Sequence, residues 1–128
     1  MNLTCDKILS LLFLGNAIFT IKSGKTGAQY TYKIVRSKSG DPGYVVSQLS
    51  SGNRWLFVGT LNGEYWIGCN QNNPAWKALD WFMARMVARK PHPLLSIKFS
   101  EKCCRCGRRL TDPNSIDALV GPECRKYM

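Results

Sequence analysis

The cysteine-rich stretch from Cys103 to Cys124, CCRCGRRLTDPNSIDALVGPEC, constrains this chain more than any other feature. Cys103 and Cys106 are spaced C-x-x-C and are followed by Gly107, whose backbone freedom suits the tight turn of a zinc knuckle. Cys124 returns eighteen residues after Cys106. Two paired thiolates and a remote third predict one structural Zn²⁺, and a disulfide is the competing interpretation.

The sequence leaves the fourth ligand of this site open. Cys104 is a thiol, but it directly follows Cys103, and adjacent residues seldom reach one tetrahedral metal together. His92 is the only histidine and lies between two prolines, eleven residues upstream of Cys103. We predict Cys104 as the fourth ligand, with His92 as the alternative; the competing interpretation of His92 is a solvated loop residue.

The same stretch resembles the C-terminal signature of a family of small uncharacterised proteins from phages, prophages and mobile elements. The shared pattern is C-C-x-C-G-R-x-L-T-D-P-x-S-I followed by G-P-x-C. The resemblance is specific in the last quarter of the chain and extends loosely upstream to Gly15. It implies a sheet followed by a zinc lobe, and it implies a metal ligand at the position of Cys104. Some members carry a histidine where this chain has Phe99, so that ligand is missing here.

Upstream, alternating apolar and polar residues predict an antiparallel sheet. A short helix, capped by Thr4 and running to about Phe13, precedes it. Five strands with hairpin-length connections are predicted over 17–22, 29–36, 44–50, 54–60 and 64–68. Such a meander either twists strongly or curls into a small barrel.

One long helix is predicted to cover this sheet. Asn73 caps it, Pro74 takes the first position, and the helical pattern continues to Arg89. Its apolar stripe is expected to face the sheet and consists of Trp76, Leu79, Phe82, Met83, Met86 and Val87. A last strand over 94–99 leads into the cysteines.

The predicted fold class is therefore α+β: an antiparallel β-meander covered by one long helix, with a small C-terminal zinc-knuckle lobe. We divide the chain into 1–93, the sheet with its helices, and 94–128, the zinc-binding lobe. The two are expected to pack as one body. A short helical segment over 115–119 is predicted inside the lobe, and Pro122 is expected to open a terminal helix.

The charge balance is strongly basic, with 18 Lys and Arg against 8 Asp and Glu and a net charge of +10. Such a balance favours polyanionic partners. Lys77, Trp81, Arg85 and Arg89 recur every four residues, so they share the helix face opposite the apolar stripe. A tryptophan among cations on an outer face can stack on a base or anchor a protein partner. The competing interpretation is that Trp81 packs inside the fold.

Arginines also surround the predicted metal ligands: Arg105, Arg108 and Arg109. Cations near thiolates lower the thiol pKa and help to hold a metal, and arginine also grips phosphate well. The strand aromatics, such as Phe19, Tyr32 and Phe57, offer a stacking platform, although aromatics on strands more commonly fill a core.

These features favour a binding protein over an enzyme, because the sequence has no evident nucleophile–base pair, P-loop or paired carboxylates. We expect nucleic-acid binding through the basic helix face and the zinc lobe. The alternative is a non-enzymatic interaction protein, such as a phage factor, that docks an acidic surface of a host protein. We expect no small-molecule substrate.

The sequence also bears on location. No run of about 18 apolar residues is present, and no secretory leader is recognisable, so no membrane association is expected. Clustered thiols that bind metal fit a reducing cytoplasm, which is the host bacterial cytoplasm if the protein is phage-encoded.

Overall fold

The computed structural model describes residues 4–24, 26–37, 43–62, 65–69, 71–111 and 118–125, which form one antiparallel sheet with helices against it. Its strands are β1 (Asn16–Ser23), β2 (Gln29–Arg36), β3 (Tyr44–Ser50), β4 (Arg54–Asn62), β5 (Tyr65–Cys69) and β6 (Leu95–Phe99). They are ordered β5-β4-β3-β2-β1-β6, and every neighbouring pair is antiparallel. The predicted meander is confirmed as an open sheet with β5 and β6 at its edges, so the barrel alternative is wrong.

One face of this sheet is the core, because alternate strand residues point to the same side. Phe19 on β1 and Tyr32 on β2 are fully buried and stack with ring centroids 5.5 Å apart. Val46 and Leu61 extend the same layer across β3 and β4. Phe19 and Tyr32 therefore fill the core and are unavailable as a stacking platform for a ligand.

The first helix, α1 (Cys5–Leu12), begins where the sequence predicts. The hydroxyl of Thr4 accepts a hydrogen bond from the backbone N–H of Lys7 at 3.1 Å, which satisfies one of the free donors of the first turn. Ile8, Leu11 and Leu12 are buried. This helix packs beside the second helix and at the start of β1.

The second helix, α2 (Pro74–Val87), lies over the core face of the sheet. The Tyr32 hydroxyl donates to the carbonyl oxygen of Ala75 at 2.6 Å. The Trp66 indole N–H donates to Asp80 Oδ1 at 3.1 Å. These bonds attach the first two turns of α2 to β2 and β5, so the side of α2 away from the sheet faces solvent.

The two ends of α2 differ in how well the sequence predicts them. The Asn73 side chain caps the N-terminus by accepting from Ala75 N–H at 2.9 Å, as predicted. The predicted C-terminus at Arg89 is wrong, since Arg89 has a left-handed φ of 55° and the helix ends at Val87. Val87 is 44% exposed and outside the buried stripe, whereas Ala75 is buried at the other end.

The last strand, β6, pairs with β1 rather than with its predecessor in sequence, β5. Ser100 N–H then donates to Ile18 O at 2.9 Å, so the chain enters the cysteine-rich stretch directly from the sheet edge. The lobe ends in α3 (Pro122–Arg125), which confirms the predicted helix start at Pro122. Most of the helical segment predicted over 115–119 lies outside the described residues.

Candidate metal centre

Three cysteines meet at one point of the C-terminal lobe. The sulfur atoms of Cys103, Cys106 and Cys124 all lie within 4.8 Å of one another. Cys103 and Cys124 are buried, while Cys106 is exposed. All six cysteines of the chain are free thiols, so the structure contains the thiol cluster and not the disulfide alternative.

A tight turn brings Cys103 and Cys106 together. Gly107 N–H donates to Cys103 O, and Cys103 N–H donates to Arg108 O, both at 2.8 Å. Gly107 takes a left-handed φ of 82°, a conformation that strains a residue with a Cβ. The turn is thus closed by its own backbone, as the C-x-x-C-G spacing predicts.

The turn is seated on the corner between α1 and β1. Asn16 N–H donates to Cys104 O at 2.8 Å, and a Cβ on Gly107 would lie 3.3 Å from the Asn16 side chain. On the other side, Cys104 N–H donates to Leu119 O at 2.9 Å, which fastens the turn to the segment that carries Cys124. Sequence reasoning missed these supports, because no local pattern signals a contact between residues 16 and 107.

A small apolar cluster joins the lobe to the main core. Leu110, Leu119 and Val120 are buried, and they belong to one continuous cluster that includes Phe19 and Phe99. A short bridge between Lys102 and Arg109 continues the antiparallel pairing beyond the turn. Apolar packing shared with the main core therefore holds the lobe in place in addition to the three cysteines.

The environment of Cys103 favours a thiolate. Burial raises the pKa of this thiol, but backbone N–H groups that donate to the sulfur outweigh burial and bring the pKa down to about 7. The donors belong to Gly121, Cys106 and Arg105. A thiolate is the form of cysteine that binds a metal.

The pKa of the Cys124 thiol is raised. Burial is the main cause, the neighbouring Cys106 and Cys103 add to it, and a hydrogen bond from the Arg105 side chain offsets only part of the rise. Arg105 is therefore engaged with a sulfur of the cluster. Arg108 and Arg109 are both exposed.

Neither predicted fourth ligand joins the cluster. Cys104 is buried, and burial together with the neighbouring Cys103 charge raises its pKa to about 12, which keeps the thiol protonated. Its side chain diverges because consecutive residues of a turn point in different directions. The His92 ring packs near Trp81 with centroids 5.8 Å apart, and its Nδ1 accepts from Leu94 N–H at 3.1 Å. Within the described residues the cluster supplies three ligands.

Three sulfur donors at this spacing can bind a metal ion. A tetrahedral metal with metal–sulfur bonds of about 2.3 Å has sulfur–sulfur edges of about 3.8 Å, so small side-chain movements bring the three sulfurs into range. The donor set suits thiophilic ions and not Mg²⁺ or Ca²⁺, which take oxygen ligands.

The other predicted binding residues lie on α2 and just beyond it. Lys77 and Trp81 are exposed, with Trp81 45% exposed, so the interpretation that Trp81 packs inside the fold is wrong. The Arg85 guanidinium carbon lies 5.3 Å from the centroid of the Trp81 ring. Arg89, beyond the helix end, donates to Asp6 Oδ1 at 3.1 Å in an exposed ion pair.

Residues 97–128 match a family of unknown function, DUF6011. The match covers the last quarter of the chain, which contains the cysteine cluster. Searches of curated proteins and of solved structures returned no match. Within the described ranges, no helix has the length and apolar character needed to cross a membrane.

Proposed function

We propose that this protein binds nucleic acid through the outer face of α2 and through the zinc lobe. The outer face is defined by Lys77, Trp81 and Arg85 on α2, together with Arg89 just beyond its C-terminus. The net charge of +10 supports a polyanionic partner, because it attracts phosphate over long range.

The pairing of Arg85 with the exposed Trp81 carries this proposal. The half-buried Arg85 guanidinium sits over the exposed indole ring, so a cation and a flat apolar surface lie side by side. Arg85 Nε is buried and has no hydrogen-bond partner among the described residues. The terminal N–H groups of the guanidinium would donate to a phosphate oxygen, and the indole would support a sugar or a base.

The remaining cations contribute unequally to this surface. Arg89 is already paired with Asp6, so part of its charge is neutralised in the free protein. Arg105 is directed at Cys124, whereas Arg108 and Arg109 are exposed at the surface of the lobe. We assign phosphate contacts to Lys77, Arg85, Arg108 and Arg109, and a supporting role at the metal centre to Arg105.

We further propose that the cysteine cluster holds one structural Zn²⁺. Zn²⁺ would link the turn at Cys103 and Cys106 to Cys124. The lobe would then hold its exposed arginines in a fixed arrangement. Removal of the ion should loosen the lobe while the sheet and α2 stay folded, because most residues of the shared core belong to the strands, α1 and α2. The role is structural, and no catalytic activity is proposed.

Metal analysis of two neighbouring variants tests the zinc proposal. Purified protein should contain about one zinc per chain, and Cys103→Ala should lose it. The matched control is Cys104→Ala, which removes the adjacent buried thiol and should retain the metal. Loss of zinc in Cys104→Ala would return Cys104 to the ligand set, and metal-free wild-type protein would refute the site.

Salt-dependent binding tests the nucleic-acid proposal. Affinity for duplex and single-stranded DNA should fall steeply between about 50 and 200 mM salt, because each phosphate contact releases counterions. Arg85→Ala should reduce the slope of log affinity against log salt by about 0.7–0.9. Arg54→Ala, which removes the same charge from an exposed position on β4, is the control and should leave affinity nearly unchanged.

The second candidate function is docking to an acidic surface of a host protein. The exposed tryptophan beside an arginine favours it, since both residue types anchor protein interfaces. The resemblance to phage and prophage proteins also supports this candidate, and it would place the protein in a bacterial cytoplasm. Pull-down from bacterial lysate with and without nuclease separates the candidates. A partner that survives nuclease and depends on Trp81, with feeble DNA binding at 150 mM salt, would overturn the nucleic-acid proposal.

A further inference from the structure

The face of the sheet opposite α2 is covered by neither α1 nor α2, and we call it the open face. Strand alternation shows which side chains lie on this face. Tyr32 and Ile34 are fully buried on the core side, so Lys33 between them points to the open face. Phe57 and Trp55 share this side with Lys33, whose Nζ lies 4.6 Å from the Trp55 ring centroid.

The charge on the open face has one sign. Lys22 on β1, Lys33 on β2 and Lys98 on β6 all point to it, by the register that pairs β2 and β6 with β1. None of the six strands contains an aspartate or a glutamate. None of the three lysines forms an ion pair with a described residue.

Two aromatic rings lie beside these cations. Phe57 is 63% exposed, although burial would remove a large apolar ring from water. Lys33 and Phe57 both pair with Ser47, one from each side, so they stand about 10 Å apart at two strand spacings. Trp55 is half-buried, with its ring under the Lys33 ammonium group.

The lysine end of the open face is concave. A shallow depression of about 530 Å³ lies across β2, β1 and β6, and its lining includes Lys22 and Lys98. The same lining contains Thr20 and Thr31, whose hydroxyl oxygens are 2.8 Å apart. Aromatic rings on β4 and a polar, cationic depression thus lie on one surface about 19 Å wide, at four strand spacings.

We propose that the open face binds single-stranded nucleic acid. Unpaired bases stack on Phe57 and Trp55, while Lys22, Lys33 and Lys98 contact the backbone phosphates. Only a single strand fits, because the bases of a duplex present their edges and not their faces. The inference rests on the proposed function, since it names the class of nucleic acid, and it adds a surface on the side of the sheet away from α2.

The charge pattern selects this occupant over a second copy of the chain. A symmetric dimer through the open face would bring the same three lysines toward their own copies without any strand carboxylate to pair them. The net charge of +10 would add further repulsion. A polyanion with flat apolar groups satisfies the cations and the exposed rings together.

Fluorescence anisotropy titration with a labelled oligothymidine tests the inference. A length of about 12 nucleotides suits it, because single-strand-binding folds contact about 4–16 nucleotides. Phe57→Ala should weaken binding about 5- to 150-fold, as expected for loss of one stacked base. The matched control is Leu56→Ala, which truncates the neighbouring residue, 48% exposed, on the opposite side of β4. It should change affinity less than about twofold.

Two cations on opposite sides of β2 provide the second test. Lys33→Ala should reduce the salt slope by about 0.7, whereas Arg36→Ala, on the same strand and exposed on the opposite side, should not. Ultraviolet crosslinks of oligothymidine should map to Phe57 or Trp55. Duplex DNA should bind the Phe57→Ala variant as it binds wild type.

The outcomes separate this inference from the proposed function. If oligothymidine binding is lost in Arg85→Ala but unchanged in Phe57→Ala and Lys33→Ala, binding at the open face is refuted. Binding at the outer face of α2 is then supported. If wild type binds neither single strand nor duplex, both fail. A stable dimer in sedimentation that Phe57→Ala dissociates would assign the open face to a second copy and overturn the inference.

Discussion

Gly107→Ala should weaken metal binding without unfolding the protein. Gly107 follows Cys106 and holds a φ of 82° where it closes the cysteine turn, and an alanine in this left-handed region costs about 1–2 kcal/mol. Its Cβ would also lie 3.3 Å from the Asn16 side chain, which is tighter than ordinary contact. The metal-free turn can relax this strain, but the metal-bound turn cannot, so the cost appears in metal affinity.

The expected loss is about 5- to 30-fold in zinc affinity, since 1.4 kcal/mol is a factor of about ten. Competition with a chromophoric chelator measures it. Gly52→Ala is the matched control, because Gly52 has the same φ of 82° but no heavy atom within 4 Å of the added Cβ. Gly52→Ala should lower thermal stability by a similar amount and leave zinc affinity unchanged. Equal zinc affinity in the two variants would refute the reasoning.

Three other substitutions test the structure from different sides. Tyr32→Phe removes the bond to Ala75 and should lower Tm by about 4–7 °C for about 1–2 kcal/mol. Burial raises the pKa of Tyr32 in the folded protein, so the stability that wild type gains from the protonated phenol should be lost as pH rises above about 10, the ordinary tyrosine pKa. The difference in free energy of unfolding between wild type and Tyr32→Phe, measured by chemical denaturation, should therefore shrink above that pH. Asn73→Ala removes the α2 cap and should lower the free energy of unfolding by about 1 kcal/mol in urea melts. Asp6→Ala frees Arg89 and should tighten DNA binding in the anisotropy assay; unchanged or weaker binding would exclude Arg89 from the interface.

The two proposed binding surfaces lie on opposite sides of the sheet because α2 packs on only one of its two faces. α2 is attached to the core face through Tyr32 and Trp66, so its outer cations point away from the sheet. The open face points the other way. If both proposals hold, a long single strand would contact one surface while a second segment or a second molecule occupied the other.

Local chemistry made much of this protein predictable from sequence. The caps at Thr4 and Asn73 and the hairpin connections depend on residues within a few positions of one another, so the element boundaries follow closely. The C-x-x-C-G turn is equally local, and Cys103 and Cys106 meet as predicted. Strand alternation likewise predicts which residues share a face of the sheet.

Contacts between distant segments needed the tertiary structure. The pairing of β6 with β1 seats the cysteine turn against Asn16, and no local pattern carries that information. The sequence favoured Cys104 over His92 as the fourth ligand, but in the structure neither belongs to the cluster of Cys103, Cys106 and Cys124. Which face of the sheet the helices cover was also undetermined, since both faces carry aromatic residues. Packing α2 on one face buries Phe19 and Tyr32, and it leaves Phe57 in water because a sheet covered on one side has no partner on the other.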